Sequence, residues 1–372
     1  MTTYARKLVG LQWPLLLLVL LLGAFGIFAI YSATWMREQD FWNRQFVFLL
    51  AGLVLCLGVA MTDYRWVRAG ALPLYIAGLV GLLVVHFFGT TVYGARSWLD
   101  FGFINFQPSQ LAIVGAIMLM ALFLSEYESM PAPLRIALCG VITAVPFLLI
   151  LIQPDLGSAI VWMPVILAML YTARIPARYL ISMILLVLAV IPLMVNFGLR
   201  PYQRQRIITF LDPELDPRGA GWTINQSLTA IGSGGWEGKG FKAPNTLNEL
   251  GFLPSTIVHN DFIFSVIGEQ HGFIGGALLL LAFLALIGLG LYVSLRASDD
   301  LGRLLAVGLT TLLFTHTFMN IGMTIGVTPI TGLPLPLVSY GGSFLLTVLF
   351  SVGILQSIWV HRGGAAKSRG GW

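Results

Sequence analysis

An all-α, polytopic membrane protein is the fold class this sequence predicts, and three observations predict it. Of its 372 residues, 57% are hydrophobic and only 10% charged, whereas soluble globular chains carry about 25% charged residues. Apolar runs of membrane length recur along almost the whole chain. Basic residues fall in alternate short connections, as the positive-inside rule requires of a multi-pass protein.

The apolar runs give about ten spans, near residues 12–33, 45–62, 69–89, 108–126, 134–152, 156–172, 179–197, 262–294, 302–325 and 343–360. A spanning helix needs about 17–25 residues, so several sit near the lower limit. They read as one integral-membrane domain over 1–372, with a large extracytoplasmic loop, 198–261, between the seventh and eighth. The first run is long and lacks a small-residue cleavage site, so it reads as a retained helix.

An even count puts both termini in the cytoplasm. The cytoplasmic segments then hold Arg6 and Lys7, Arg65 and Arg68, Arg135, Arg174 and Arg178, Arg296 and Arg303, and finally Arg362, Lys367 and Arg369. The outer side still carries Arg37, Arg44, Arg96, Arg200, Arg204, Arg206, Arg218, Lys239 and Lys242, mostly in the long loop, where the charge rule has little force and a local task is expected. The net charge of +5 therefore reports topology and not nucleic-acid binding. Cys56 and Cys139 fall within or near spans, which argues against a disulfide or a thiolate metal site. No nucleotide-binding loop, HExxH or CxxC pattern occurs.

Three places on the outer face combine polar with helix-breaking residues. Tyr93-Gly94-Ala95-Arg96-Ser97-Trp98 precedes Phe106-Gln107-Pro108-Ser109-Gln110, where Pro108 is suited to the first turn of a helix. Gln153-Pro154-Asp155-Leu156-Gly157 joins the fifth and sixth spans. The stretch from Thr328 to Gly342 is too rich in proline and glycine for one helix. Non-helical backbone at membrane depth must be buried in protein or line a wet cavity. All three read as walls of one outward-facing cavity. Asp261 sits where the long loop gives way to an apolar span, a costly place for a carboxylate without a partner or a task.

These stretches carry a resemblance. With Gly232-Ser233-Gly234-Gly235, Gly238-Lys239-Gly240, Phe252-Leu253-Pro254, His259-Asn260-Asp261-Phe262-Ile263-Phe264, Asn320-Ile321-Gly322-Met323 and the run from Gly332 to Gly342, the chain resembles the RodA/FtsW (SEDS) family of polytopic peptidoglycan glycosyltransferases. The segment Phe210 to Pro217 and Gly219-Ala220-Gly221-Trp222 tilt it toward the RodA, elongation-associated branch. The resemblance implies a bacterial cytoplasmic (inner) membrane protein that polymerises lipid II into β-1,4-linked glycan with release of undecaprenyl pyrophosphate, inverting the donor's anomeric centre.

It implies roles for particular residues. A sugar hydroxyl is a poor nucleophile and needs a general base, which the match places at Asp261, against the alternative of a helix cap or an electrostatic partner. For leaving-group or substrate contacts the sequence itself offers Arg204, Arg206, Arg218, Lys239 and Lys242, and the resemblance adds Arg96 beside the outer cavity, each weighed against anchoring to anionic phospholipid. Asp155 reads as a substrate-binding residue or as the cap of the next helix. Ser339 and Tyr340 read as substrate-lining or backbone-ordering, His259 as hydrogen-bonding support, and Glu269 as cavity-lining or locally paired. Where relatives commonly carry a glutamate and a basic residue, this chain has Gln110 and Ile113, so neutral packing replaces an ionic contact or activity is altered. A divalent cation, Mg or Mn, is allowed at the leaving group, and no nucleotide or organic cofactor is implied. The implied partners are a class B penicillin-binding protein, the growing lipid-linked glycan strand and other elongation-complex proteins. A lipid-linked precursor transporter and a noncatalytic scaffold are the alternatives.

Overall fold

The structure, a computed structural model, describes residues 7–36, 40–92, 95–102, 104–153, 155–198, 201–217 and 219–362. Arg6, Arg37, Tyr93, Gly94, Pro154, Arg200, Arg218, Lys367 and Arg369 lie outside the described residues.

Among the described residues the helices are α1 (Trp13–Thr34), α2 (Phe41–Met61), α3 (Val67–Phe88), α4 (Pro108–Glu126), α5 (Ala132–Ile152), α6 (Leu156–Ile160), α7 (Trp162–Thr172), α8 (Ala177–Leu193), α9 (Pro201–Leu211), α10 (Ala220–Ser233), α11 (Ile263–Arg296), α12 (Asp300–Thr324) and α13 (Gly342–Val360). Nine spans among them are long and apolar enough to cross a membrane. The tenth expected span, 156–172, is present as the shorter pair α6 and α7, which meet at Val161. Three strands were not foreseen. They are β1 (Thr90–Val92), β2 (Ala95–Asp100) and β3 (Asn105–Phe106), an antiparallel sheet in the order β1-β2-β3 between α3 and α4. Runs this short hold too few residues for an alternating pattern to register.

Local chemistry sets the helix ends. Pro108 occupies the first turn of α4, where its missing N–H is no loss. Asp299 caps α12 by accepting a hydrogen bond from the Gly302 N–H at 2.8 Å, worth about 1 kcal/mol. The centre of the bundle is α4, α12 and α13, of whose apolar windows 72%, 78% and 72% are buried, against 6% for the span containing α8. Helix α8 is aliphatic on all sides, with Ile181, Leu185, Leu188 and Ile191 exposed, and that suits a lipid-facing rim.

Two irregular segments are built into this bundle. After α12 the chain runs without regular structure to Gly341, yet Leu333, Leu335, Leu337 and Val338 are buried. Glycines on neighbouring helices permit the approach: a Cβ on Gly26 of α1 would lie 2.6 Å from the Leu337 carbonyl oxygen, and one on Gly157 of α6 would lie 2.3 Å from that of Thr331.

The second is the start of α11, whose 34 residues are interrupted at Gly272, with φ 62° and ψ −162°. A break strips the adjacent turns of their backbone partners. The glycine-rich run after α10 replaces them. The N–H groups of Lys239 and Gly240 donate to the Glu269 and Gln270 carbonyls at 3.0 Å each, while those of Phe273 and Ile274 donate to Gly235 and Trp236 at 2.8 and 3.1 Å. Only glycine fits Gly238, where φ is +86° and a Cβ would meet the Gln270 carbonyl oxygen at 2.2 Å. Gly238→Ala is therefore expected to cost about 2 kcal/mol or more. Thermal unfolding in detergent checks this, and an unchanged midpoint would contradict it.

Candidate functional site

At the end of the bundle that carries residues 201–262 lies a cavity of about 510 Å³. Its walls come from all three polar, helix-breaking segments and from the end of the long loop. The sheet contributes Ser97, Trp98, Asp100 and Asn105, and Gln107 precedes α4; Asp155, Leu156 and Gly157 begin α6; Ile330 to Gly332, Tyr340 and Gly341 belong to the irregular segment before α13, and Gly342 begins that helix. The loop supplies Arg206, Ile257, Asn260 and Asp261, and α2 supplies Arg44 and Phe48.

Asp261 sits in a turn just before α11, its N–H donating to the Ile257 carbonyl at 2.8 Å. The residue is half-buried on the cavity wall. Burial pushes its carboxyl up to about 7, and the Arg206 guanidinium opposes that shift. Arg206, half-buried on α9, donates from Nη1 to the Ile330 carbonyl at 3.4 Å and so ties the loop to the opposite wall. A carboxyl in this range takes up and gives back protons near neutral pH.

Asp155 caps α6. Its Oδ1 accepts from the Ser158 N–H at 3.0 Å, and its Oδ2 accepts from the Ser158 hydroxyl at 2.8 Å and from Gln107 Nε2 at 3.0 Å. It therefore serves as a cap and stands on the cavity wall at once. Tyr340 lies on the same wall, packed edge-on against Phe41 at 4.8 Å, with Arg44 hydrogen-bonded to its hydroxyl. Burial raises the Tyr340 phenol, and Arg44 partly offsets this.

The other expected residues stand off the lining. Arg96 is exposed on β2 and donates from Nη1 to the His86 carbonyl at 3.3 Å, beside the cavity. Arg204 is exposed on α9. Lys239 pairs with Glu269 on α11, Nζ to Oε1 2.7 Å, and the Leu247 N–H donates to the same oxygen at 2.7 Å. Ser339 is buried; its hydroxyl donates to the Asn260 carbonyl and accepts from the Leu335 N–H. His259 stacks on Phe41 at 4.2 Å, behind Tyr340. Gln110 is buried, and its Nε2 has no hydrogen-bond partner among the described residues.

Sequence reasoning passed over Arg44, counted only as an outer charge, and Gln107, quoted only within a motif. The signal for Arg44 was a guanidinium in the first turn of an apolar helix. It also passed over Gln45, whose side chain bonds the Ser339 carbonyl at 3.1 Å and the Gly341 N–H at 3.2 Å. Among the described residues no three His, Cys, Asp or Glu side chains converge as a metal centre. Among the described residues Asp100, Asp155 and Asp261 are the carboxylates on the cavity wall, and both oxygens of Asp155 are already engaged.

The family model for FtsW, RodA and SpoVE, described as a cell cycle protein, matches residues 12–363. The chain belongs to this family. It is 38% identical over 360 residues to the peptidoglycan glycosyltransferase MrdB of Escherichia coli K12, covering 97% of this chain and 96% of that one. It is 33% identical to the peptidoglycan glycosyltransferase RodA of Treponema pallidum, covering 95% and 98%. Among solved structures it resembles one that describes structural coordination of polymerization and crosslinking by a peptidoglycan synthase complex, with a TM-score of 0.81, 31% identity, and 95% and 98% coverage. The rod shape determining protein RodA of Thermus thermophilus gives a TM-score of 0.72 at 28% identity, with the same coverage. As a member of the RodA/FtsW family, the chain is a multi-pass protein of the bacterial inner membrane.

Proposed function

We propose that this chain is a peptidoglycan glycosyltransferase that polymerises lipid II for cell elongation and shape. The observation that carries the reading is Asp261, a half-buried carboxyl raised to about 7, on a cavity whose other charged groups include Arg44 and Arg206. In the proposed step the acceptor's GlcNAc 4-hydroxyl attacks C1 of the donor's lipid-linked MurNAc. The new C–O bond forms as the bond to undecaprenyl pyrophosphate breaks, and the hydroxyl proton passes to the Asp261 carboxylate. Negative charge grows on the departing pyrophosphate, and among the described residues Arg206 and Arg44 are the cations on the cavity wall that would meet it. A divalent ion, Mg or Mn, would supply further positive charge to that pyrophosphate beside Arg206 and Arg44.

Gln110 lies off the lining, so its lack of charge leaves the cavity's own groups in place and weakens the scaffold alternative. Both termini are assigned to the cytoplasm and the cavity to the outer face, from the placement of basic residues. The likeness to a component of a peptidoglycan synthase complex supports a class B penicillin-binding protein as partner, within a larger elongation assembly.

The test is glycan formation from lipid II by the purified chain with such a partner, with and without a divalent ion. Polymer from the wild type supports the enzyme; precursor movement across vesicles without polymer would establish the transporter instead. Within that assay Arg206→Gln is expected to lower kcat by about 10- to 100-fold. Because Arg206 favours the charged form of Asp261, its removal raises the carboxyl further and moves the acid limb of the rate profile to higher pH. An acid limb that stays in place would remove Arg206 from this role.

A further inference from the structure

The turn that carries Asp261 is held by an unusual convergence. Three successive carbonyls, those of His259, Asn260 and Asp261, each accept a hydrogen bond from a part of the chain remote in sequence. His259 accepts from the Tyr340 N–H at 2.9 Å, Asn260 from the Ser339 hydroxyl, and Asp261 from Asn320 Nδ2 at 3.0 Å. The same Asn320 nitrogen donates to the Leu333 carbonyl at 2.7 Å, so one amide on α12 bridges the Asp261 turn and the irregular segment.

Asn320 is fully buried, and its Oδ1 has no partner among the described residues. A buried amide oxygen left without a donor works against stability. The arrangement makes sense if the amide is placed for its two donated bonds, which fix a functional backbone at the expense of its own acceptor.

We propose that Asn320 is a positioning residue for the glycosyl transfer: its bridge from α12 fixes the backbone of Asp261, and Ser339 completes the clamp on the preceding residue. This rests on the reading of Asp261 as the base. With its N–H bound to Ile257 and its carbonyl to Asn320, Asp261 has both main-chain polar groups engaged, which fixes the backbone from which its side chain reaches the cavity wall. A base displaced by a fraction of an ångström loses its line to the acceptor hydroxyl while substrate still binds.

The experiment compares Asn320→Ala, Ser339→Ala, Asp261→Asn and Thr317→Ala in the full chain with its partner, measuring lipid II polymerisation against substrate concentration and pH. Thr317 lies one turn back on α12, and its hydroxyl bonds only within the helix, to the Leu313 carbonyl, so Thr317→Ala serves as the unaffected control. Asn320→Ala is expected to lower kcat by about tenfold or more with KM nearly unchanged. The loosened turn admits water to the Asp261 carboxylate, so the acid limb of kcat moves to lower pH. Arg44, Arg206, Asp100, Asp155 and Tyr340, the other charged or titratable groups on the wall among the described residues, are untouched by this substitution. Ser339→Ala is expected to shift both readouts in the same direction by a smaller amount, and it tests the clamp if Asn320→Ala fails to fold. Wild-type kcat and acid limb in Asn320→Ala and Ser339→Ala, with Asp261→Asn inactive, would overturn the clamp and leave the base standing. Activity in Asp261→Asn would overturn the base itself.

Discussion

Asp261→Asn is expected to reduce lipid II polymerisation by about 10³-fold, within the range that general bases contribute. Asparagine keeps the shape of the side chain but cannot accept the acceptor's proton. The folding control has a definite sign. In the folded protein the carboxyl is raised to about 7, so the native state holds its proton more tightly than the unfolded chain does. Stability linked to this group is therefore greatest at low pH and declines as pH rises from about 4 to about 7. Above that window the ionised carboxylate is a burden that asparagine does not carry. The variant should melt no earlier than the wild type at pH 8, so its inactivity would not reflect unfolding. The wild-type rate should fall with a midpoint near 7 on the acid side, where the base becomes protonated. Comparable polymer from the two proteins would end the assignment.

Lys239→Met is expected to destabilise the protein by about 3 kcal/mol, through charge left behind and not through lost contact. Glu269 is completely inaccessible, whereas the Lys239 side chain keeps 29% of its surface exposed. Removing the ammonium leaves a buried carboxylate supported on Oε1 by the Leu247 N–H, with Oε2 lacking a partner among the described residues. Lys239→Met with Glu269→Gln should recover much of the loss, because it removes the stranded charge along with its partner. The thermal midpoints of the two single variants and the double variant decide the matter: additive losses would mean that the two side chains act independently.

These two residues also show how far the sequence could be read. Membrane spans follow from composition and run length, so their number and order were legible, down to the short span now seen as α6 and α7. Glu269, His271 and Gly272 interrupt the apolar character of the eighth run, but neither the break at Gly272 nor its covering follows from that. Backbone pairing between a loop and a helix leaves no periodic trace. Asp261 and Asp155 were legible because a carboxylate beside a membrane helix has few tolerable reasons to be there. The basic residues were harder. Arg204 and Arg206 differ by two positions on α9, and only the helix's rotation, set by tertiary packing, puts Arg206 on the cavity and leaves Arg204 exposed. Lys239 read as a leaving-group contact because it is a basic residue of the outer loop, whereas the structure pairs it with Glu269 on α11. Asn320 was visible as part of a motif, but the carbonyls it reaches lie 59 and 13 residues away along the chain.

The covered break in α11 bears on how the protein is made. Residues 234–240 leave the ribosome before the helix whose open turns they fill, so the donors and acceptors are present when that segment enters the bilayer. The stretch 273–296 is long enough to insert by itself, and the nine residues 263–271 ahead of it then close onto backbone already synthesised. Chain order thus doubles as assembly order: a rearranged gene that encoded the glycine-rich run after α11 would deliver an unfinished helix to the membrane, even with every residue retained.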